Sequence, residues 1–162
     1  MTAQAKKAEQ HIKANEKKWG KALMQSGWTA FPSVIIEKQH ALGLTAMDIN
    51  IILYLSTHWW EAERKPYPSK KTIAQALGVT SRTIQKRIAA LEQIGFIKRE
   101  YRPHETKGND TNKYDLSGLI DAITPFAEEK LEEINAAQEA KEARRKRVKP
   151  KPTLKSIDGG KI

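Results

Sequence analysis

Between Ser69 and Gly95 the chain reads SKKTIAQALGVTSRTIQKRIAALEQIG, two runs of helical spacing joined at a single glycine, and few folds are compatible with that pattern. Ser69 is placed to cap the first helix. Its hydroxyl can accept from the free amides of the first turn, and Ile73, Ala74 and Leu77 then fall on one face. Gly78 stops the helix, because the residue just past a helix end commonly needs a positive φ, which glycine adopts without a Cβ penalty. Thr80 opens the second helix. Val79 before it and Ile84 after it have the spacing of a hydrophobic staple, as do Pro68 and Ile73 one helix earlier.

From Thr80 onward, Ile84, Ile88, Leu91 and Ile94 lie on one stripe at about 100° per residue. Arg82, Lys86, Ala89 and Gln93 then point the opposite way, with Thr83 and Gln85 flanking them. A helix that reads duplex DNA needs such a face. Long donors near its N-terminus reach base edges or phosphates, and small residues let the backbone come close to the groove. Arg82, Gln85 and Lys86 meet the first need and Ala89 the second, while Thr80, Ser81 and Thr83 can help hold the phosphate backbone, as can Ser69, Lys70 and Lys71 one helix earlier. The plainer alternative is an amphipathic surface helix with ordinary solvated charges. Caps, glycine turn and basic outer face, however, agree on one motif.

After Gly95, residues Phe96 to Arg102 alternate in the manner of a strand, a polar tip follows from Pro103 to Thr111, and a second strand is expected from Asn112 to Leu116. Two strands in this place make a wing, with Lys98, Arg99, Arg102, Lys107 and Lys113 as candidate contacts to the flanking minor groove or backbone. Between Ser69 and Lys107 there are nine Lys or Arg (70, 71, 82, 86, 87, 98, 99, 102, 107) against three acidic residues (92, 100, 105), so basic charge concentrates on this stretch.

The run YPSKKTIAQALGVTSRTIQKRIAALEQIGFIKRE, followed by TNKYDLSGLI, resembles the winged helix-turn-helix domains of plasmid- and phage-borne regulators and replication proteins. The similarity begins near Trp28, with WTAFPSVIIEKQHALGL, and fades after Phe126. It implies that the helix after the glycine turn enters the major groove and the hairpin acts as the wing, roles that fall on Ser81 to Lys86 and on Arg102 to Lys113. Related domains serve repressors, initiators and accessory factors alike, so the resemblance fixes the fold far better than the target.

A chain of 162 residues with 39% apolar content holds one domain of ordinary size plus extensions. Four regions are expected: a basic N-terminal arm, 1–27; the winged helix-turn-helix domain, 28–124; a C-terminal helix, 125–145; and a disordered basic tail, 146–162. The arm carries six Lys (6, 7, 13, 17, 18, 21) against Glu9 and Glu16 and is expected to be partly helical. Within the domain, Thr45 can cap a helix bearing Ile49, Ile51, Ile52, Leu53, Tyr54, Leu55, Trp59 and Trp60, with Asp48 favouring the positive end of its dipole. Its apolar surface covers most of its circumference, so the two tryptophans read as core or lid residues before any ligand cage. Val34 to Leu42 fits a short helix slightly better than a strand.

Leu116, Leu119, Ile120 and Ile123 resume helical spacing, and Thr124–Pro125 suits a fresh helix or a kink. Ala127, Leu131 and Ile134 continue a spacing of alternately four and three, which suits a pairing seam; a homodimer through 116–138 is expected, with a helix packed on its own domain as the alternative. In the tail, Arg144, Arg145, Lys146 and Arg147 begin a basic, proline-bearing run expected to be disordered and to hold phosphates without sequence preference, or else merely to solubilise.

The net charge of +10 favours an anionic partner, nucleic acid or a membrane surface. The absence of cysteine excludes disulfides, thiolate zinc sites and cysteine nucleophiles. His11, His40, His58 and His104 stand at no metal-ligand spacing, His104 beside Glu105 being the nearest approach, and the closing Gly-Gly-Lys has no strand before it to make a phosphate loop. No catalytic set can be assembled, so no enzyme, no cofactor and no metal are expected. No stretch approaches a membrane span or signal peptide, which points to a cytoplasmic, nucleoid-associated protein of a prokaryote or mobile element. The expected fold is mainly α with a small β-hairpin wing. The expected partner is double-stranded DNA and the expected role transcriptional regulation; a plasmid or phage replication or transfer accessory comes second, and an adaptor whose winged helix binds protein or RNA third.

Overall fold

Seven α-helices and one two-stranded hairpin occupy the residues described by the computed structural model, 3–101 and 112–146. In chain order they are α1 (Ala3–Trp19), α2 (Lys21–Gln25), α3 (Ser33–Glu37), α4 (Ala46–Thr57), α5 (Lys70–Leu77), α6 (Ser81–Gln93), β1 (Lys98–Glu100), β2 (Lys113–Asp115) and α7 (Ser117–Lys146). The expected wing tip, Pro103 to Thr111 with Lys107, the Arg102 that precedes it, and the residues of the expected tail from Arg147 onward lie outside the described residues; Arg144, Arg145 and Lys146, expected to begin a disordered run, form instead the last turn of α7. The chain divides into two compact units, Met1–Pro125 and Phe126–Ile162.

In the first unit, the apolar stripes anticipated from spacing meet in one core. Ile51, Ile52 and Leu55 of α4, Ile73 of α5, and Ile84, Ile88 and Leu91 of α6 are all buried, together with Ile97, Tyr114, Leu116 and Leu119. Each such side chain contributes roughly 1.5–3 kcal/mol relative to exposure. The caps are where the sequence placed them. Ser69 Oγ accepts from the Thr72 amide at 3.0 Å and Thr80 Oγ1 from the Thr83 amide at 3.2 Å. Gly78 ends α5 in the left-handed region at φ 66°, which turns the chain into α6 within three residues.

Three expectations need correcting. Ile94 belongs to no buried stripe: α6 stops at Gln93, Ile94 is its C-cap and is 53% exposed, and Ile97 takes the core position instead. The α4 helix stops at Thr57, short of both tryptophans. Ser56 and Thr57 turn their hydroxyls back onto the carbonyls of Ile52 (2.9 Å) and Tyr54 (2.7 Å), the local competition that weakens a helix end. Trp59 is half-buried and Trp60 is 76% exposed, so neither is core. Finally, no fresh helix starts at Thr124–Pro125. α7 runs through Pro125, and the Thr124 hydroxyl donates to the Ile120 carbonyl at 2.7 Å beside the position where proline removes an amide donor.

Val34 to Leu42 is a short helix, Ser33–Glu37, followed by turns that close at Gly43 with φ 68°. At the far end of the unit, α7 begins in tight contact with the exit from α6. The Leu119 amide donates to the Phe96 carbonyl at 3.2 Å, and a Cβ placed on Gly118 would lie 1.8 Å from the Gly95 carbonyl oxygen. In the second unit, the described residues continue α7 to Lys146, with Leu131 and Ile134 exposed.

Candidate nucleic-acid interface

The second helix of the pair, α6, separates its side chains as an interface requires. Ile84, Ile88 and Leu91 are buried, whereas Ser81, Arg82, Gln85, Lys86, Ala89 and Gln93 are exposed. Arg82 and Lys86 form no ion pair among the described residues. Thr80 and Thr83 are occupied with each other: their hydroxyls lie 2.9 Å apart while Thr80 also caps the helix, so both stiffen the N-terminal turn from which Arg82 projects. Ser69 and Thr72 repeat the arrangement at the start of α5, their oxygens 2.7 Å apart, beside Lys70 and the exposed Lys71.

Three further cations, Arg87, Arg99 and Lys65, are held by acids. Arg87, one residue beyond Lys86, reaches back to α4, where its Nε donates to Asp48 Oδ1 at 2.9 Å and its Nη2 bonds Asp48 Oδ2. Asp48 is itself 1% exposed and completes a capping box, accepting from the Thr45 amide at 2.8 Å and from the Thr45 hydroxyl at 2.7 Å. Burial works to raise its pKa. The Arg87 hydrogen bond, the two Thr45 bonds and the Arg87 charge outweigh that effect and hold the carboxyl below the ordinary aspartate value. Sequence reading assigned Asp48 only to the helix dipole and left Arg87 without a role; the signal was there in an acid at the third position after a threonine cap.

The hairpin is shorter than its alternating sequence. β1 and β2 pair antiparallel with Lys98 opposite Asp115, Arg99 opposite Tyr114 and Glu100 opposite Lys113. Of the candidate wing contacts, Lys98 is exposed and Lys113 half-buried, neither with an ion pair among the described residues. Arg99 is committed elsewhere: its Nε donates to Glu92 Oε2 at 2.9 Å, its Nη2 bonds the same oxygen, and its amide donates to Glu92 Oε1 at 3.2 Å. That bond pattern ties β1 to the last turn of α6.

A residue that sequence reading passed over, Lys65, fastens both strands. Its ammonium donates to Asp115 at 2.7 Å and also binds Glu100, while the Tyr114 amide donates to the Pro66 carbonyl at 2.8 Å. Asp115 is thereby held at a pKa of about 2, first by the Lys65 hydrogen bond and then by the Ser117 amide. A depressed carboxylate contributes stability that is present above its unfolded pKa, about 4, and is lost as pH falls through the folded value. Asp115→Asn is therefore expected to be less stable than the native chain at pH 7. The difference should shrink as pH drops from about 4 to 2, read by urea unfolding across that range; a difference that stays constant over the window would mean that Asp115 carries no such linkage.

At the described end of α7, Arg144, Arg145 and Lys146 are exposed in the last turn, which suits the negative end of the helix. Among the described residues, no group of three or more metal-ligating side chains comes together and no helix is long and apolar enough to cross a membrane.

Residues 42–97 match the family model of a helix-turn-helix domain, a span that holds α4, α5, α6 and the turn between the last two. No curated protein matches the chain. Among solved structures, the disulfide-formed structure of AbfR aligns over 88% of this chain and 99% of its own, with 20% identity and a TM-score of 0.37. This chain has no cysteine with which to form a disulfide.

Proposed function

We propose, from the helix-turn-helix domain at residues 42–97, that this protein binds double-stranded DNA in a sequence-specific manner and serves as a transcriptional regulator. The observation that carries the proposal is the division of labour among the cations of α6: Arg87 is tied to Asp48, while Arg82 and Lys86 stand exposed around the small Ala89. In this reading Arg82, Gln85 and Lys86 make most contacts to bases or their neighbours. Ser81, Thr80 and Thr83 hold the adjoining backbone, with Ser69, Lys70 and Lys71 on the phosphates ahead of them. Lys98 and Lys113 supply wing contacts, together with Arg102 and Lys107. Arg99 contributes by fixing the hairpin, its guanidinium being bound to Glu92. Arg144 to Arg147 add affinity without sequence preference by releasing counterions.

The division into arm, domain, helix and tail belongs to the same proposal, as does pairing of two copies through 116–138; Leu116, Leu119 and Ile123 of that span are buried in the first unit, so its support is the exposed Leu131 and Ile134. A dimer would read two half-sites about one helical turn apart.

The test is selection from random duplex DNA followed by the Arg82→Ala variant. The native chain is expected to enrich one motif, and the variant to lose on the order of 1–3 kcal/mol at that motif while binding random DNA nearly as before. Equal loss on both would make Arg82 a phosphate contact. A selection that enriches nothing would overturn DNA reading and favour an adaptor role.

A further inference from the structure

Within the first unit, beside the core, lies a cavity of about 680 Å³ whose walls include Trp28, Phe31, Trp59 and Trp60. Drug-sized ligands occupy pockets of about 300–1,000 Å³, so the space suits one small molecule. The lining is notable for what it excludes. In a chain that carries 30% charged residues, no Asp, Glu, Lys, Arg or His among the described residues faces this space, and its polar side chains there, apart from the indoles, are Thr29 and Ser56. Ser56 already donates its proton to the Ile52 carbonyl, and the Trp59 indole donates to the Ala62 carbonyl at 3.4 Å. Trp28 and Trp60 are 50% and 76% exposed and contribute little to the core, and exposed large apolar side chains gathered on one surface are a mark of ligand grooves and interaction sites.

We propose that this cavity binds an uncharged aromatic small molecule, its rings stacked against the tryptophans. Flat π faces favour offset or edge contacts with another aromatic ring. The space is partly open to solvent, so an ionised ligand would lose part of its hydration here and find no counter-charge among the described residues. The floor of the cavity includes Leu116 and Leu119, the latter hydrogen-bonded to Phe96 just before β1, so an occupant touches the residues from which the hairpin springs. The site stands on its own geometry and does not depend on the DNA-reading proposal.

The experiment uses two probes with one ring system, neutral N-phenyl-1-naphthylamine and its sulfonated relative 1-anilinonaphthalene-8-sulfonate, titrated into the full chain at high salt to suppress attraction to the basic surface. The neutral probe is expected to fill a single saturable site with quenching of tryptophan emission. The sulfonated probe should bind at least about tenfold more weakly, for want of a partner for its charge. Trp28→Ala combined with Trp60→Ala should weaken the neutral probe by a similar factor, and so should Ile120→Lys, which brings a charge to the rim from a surface position. Tyr101→Ala, an exposed aromatic outside the lining, should leave it unchanged. Non-saturable binding, equal affinity for the two probes, or insensitivity to both lining variants would overturn the proposal. So would sedimentation showing that the face is closed by a second copy and admits no probe.

Discussion

Replacing Arg87 by alanine is expected to lower the unfolding free energy by about 3 kcal/mol at pH 7, because it strands a buried carboxylate. Asp48 is 1% exposed and keeps only its Thr45 bonds once the guanidinium is gone. Loss of one partner from a buried ion pair costs about 3–5 kcal/mol; the low end applies here because the Arg87 side chain is itself 34% exposed and the Thr45 bonds survive. The pH dependence gives the mechanism a signature. In the native chain, Asp48 has a pKa below the ordinary value, so its contribution is present above the unfolded pKa and fades as pH falls through the lower folded one. In the variant, burial is no longer opposed by Arg87, the carboxyl takes up a proton more readily, and the gap between variant and native should narrow as the solution is acidified. Urea unfolding at neutral and mildly acid pH measures both. A loss under about 1 kcal/mol with no pH dependence would place the pair among solvated surface pairs.

A comparable effect is expected from Gly118→Ala, a change that any helix propensity scale would favour. The added methyl would sit 1.8 Å from the Gly95 carbonyl oxygen and 3.0 Å from its carbon, and both are backbone atoms that no rotamer change can move away. The first turn of α7 must therefore lift off the exit of α6, stretching the Leu119 to Phe96 hydrogen bond and disturbing Leu119, which is 2% exposed. Overpacking of this kind costs about 3 kcal/mol, the upper part of its usual range, where the obstacle is rigid. Thermal unfolding of the variant tests it; an unchanged or raised melting temperature would show that the two segments separate at little cost.

The local rules carried most of the reading. Ser69, Gly78 and Thr80 announced their caps and turn because each acts within four residues of itself, and the isoleucines of α6 announced their buried face by period alone. What sequence could not display was pairing between distant positions. Lys65 lies 35 residues from Glu100 and 50 from Asp115, and nothing in its neighbourhood distinguishes it from Arg64, which is paired on the surface with Glu61. Arg99 looked like any other cation of a basic hairpin until Glu92 was seen beside it. Trp59 and Trp60 were misread for a related reason: a run of apolar residues signals burial, but the serine and threonine hydroxyls that end α4 send the chain out of the helix before the tryptophans arrive. Gly118, likewise, reveals its purpose only through Gly95.

The Lys65 clasp has a bearing on how this scaffold could diversify. With one ammonium bound to Glu100 of the first strand and Asp115 of the second, and with the Tyr114 amide on the Pro66 carbonyl, the described strands are fastened to the segment that leads into α5. Changes of sequence length between the two strands are therefore expected to be tolerated across descendants without disturbing the helices that the clasp joins them to.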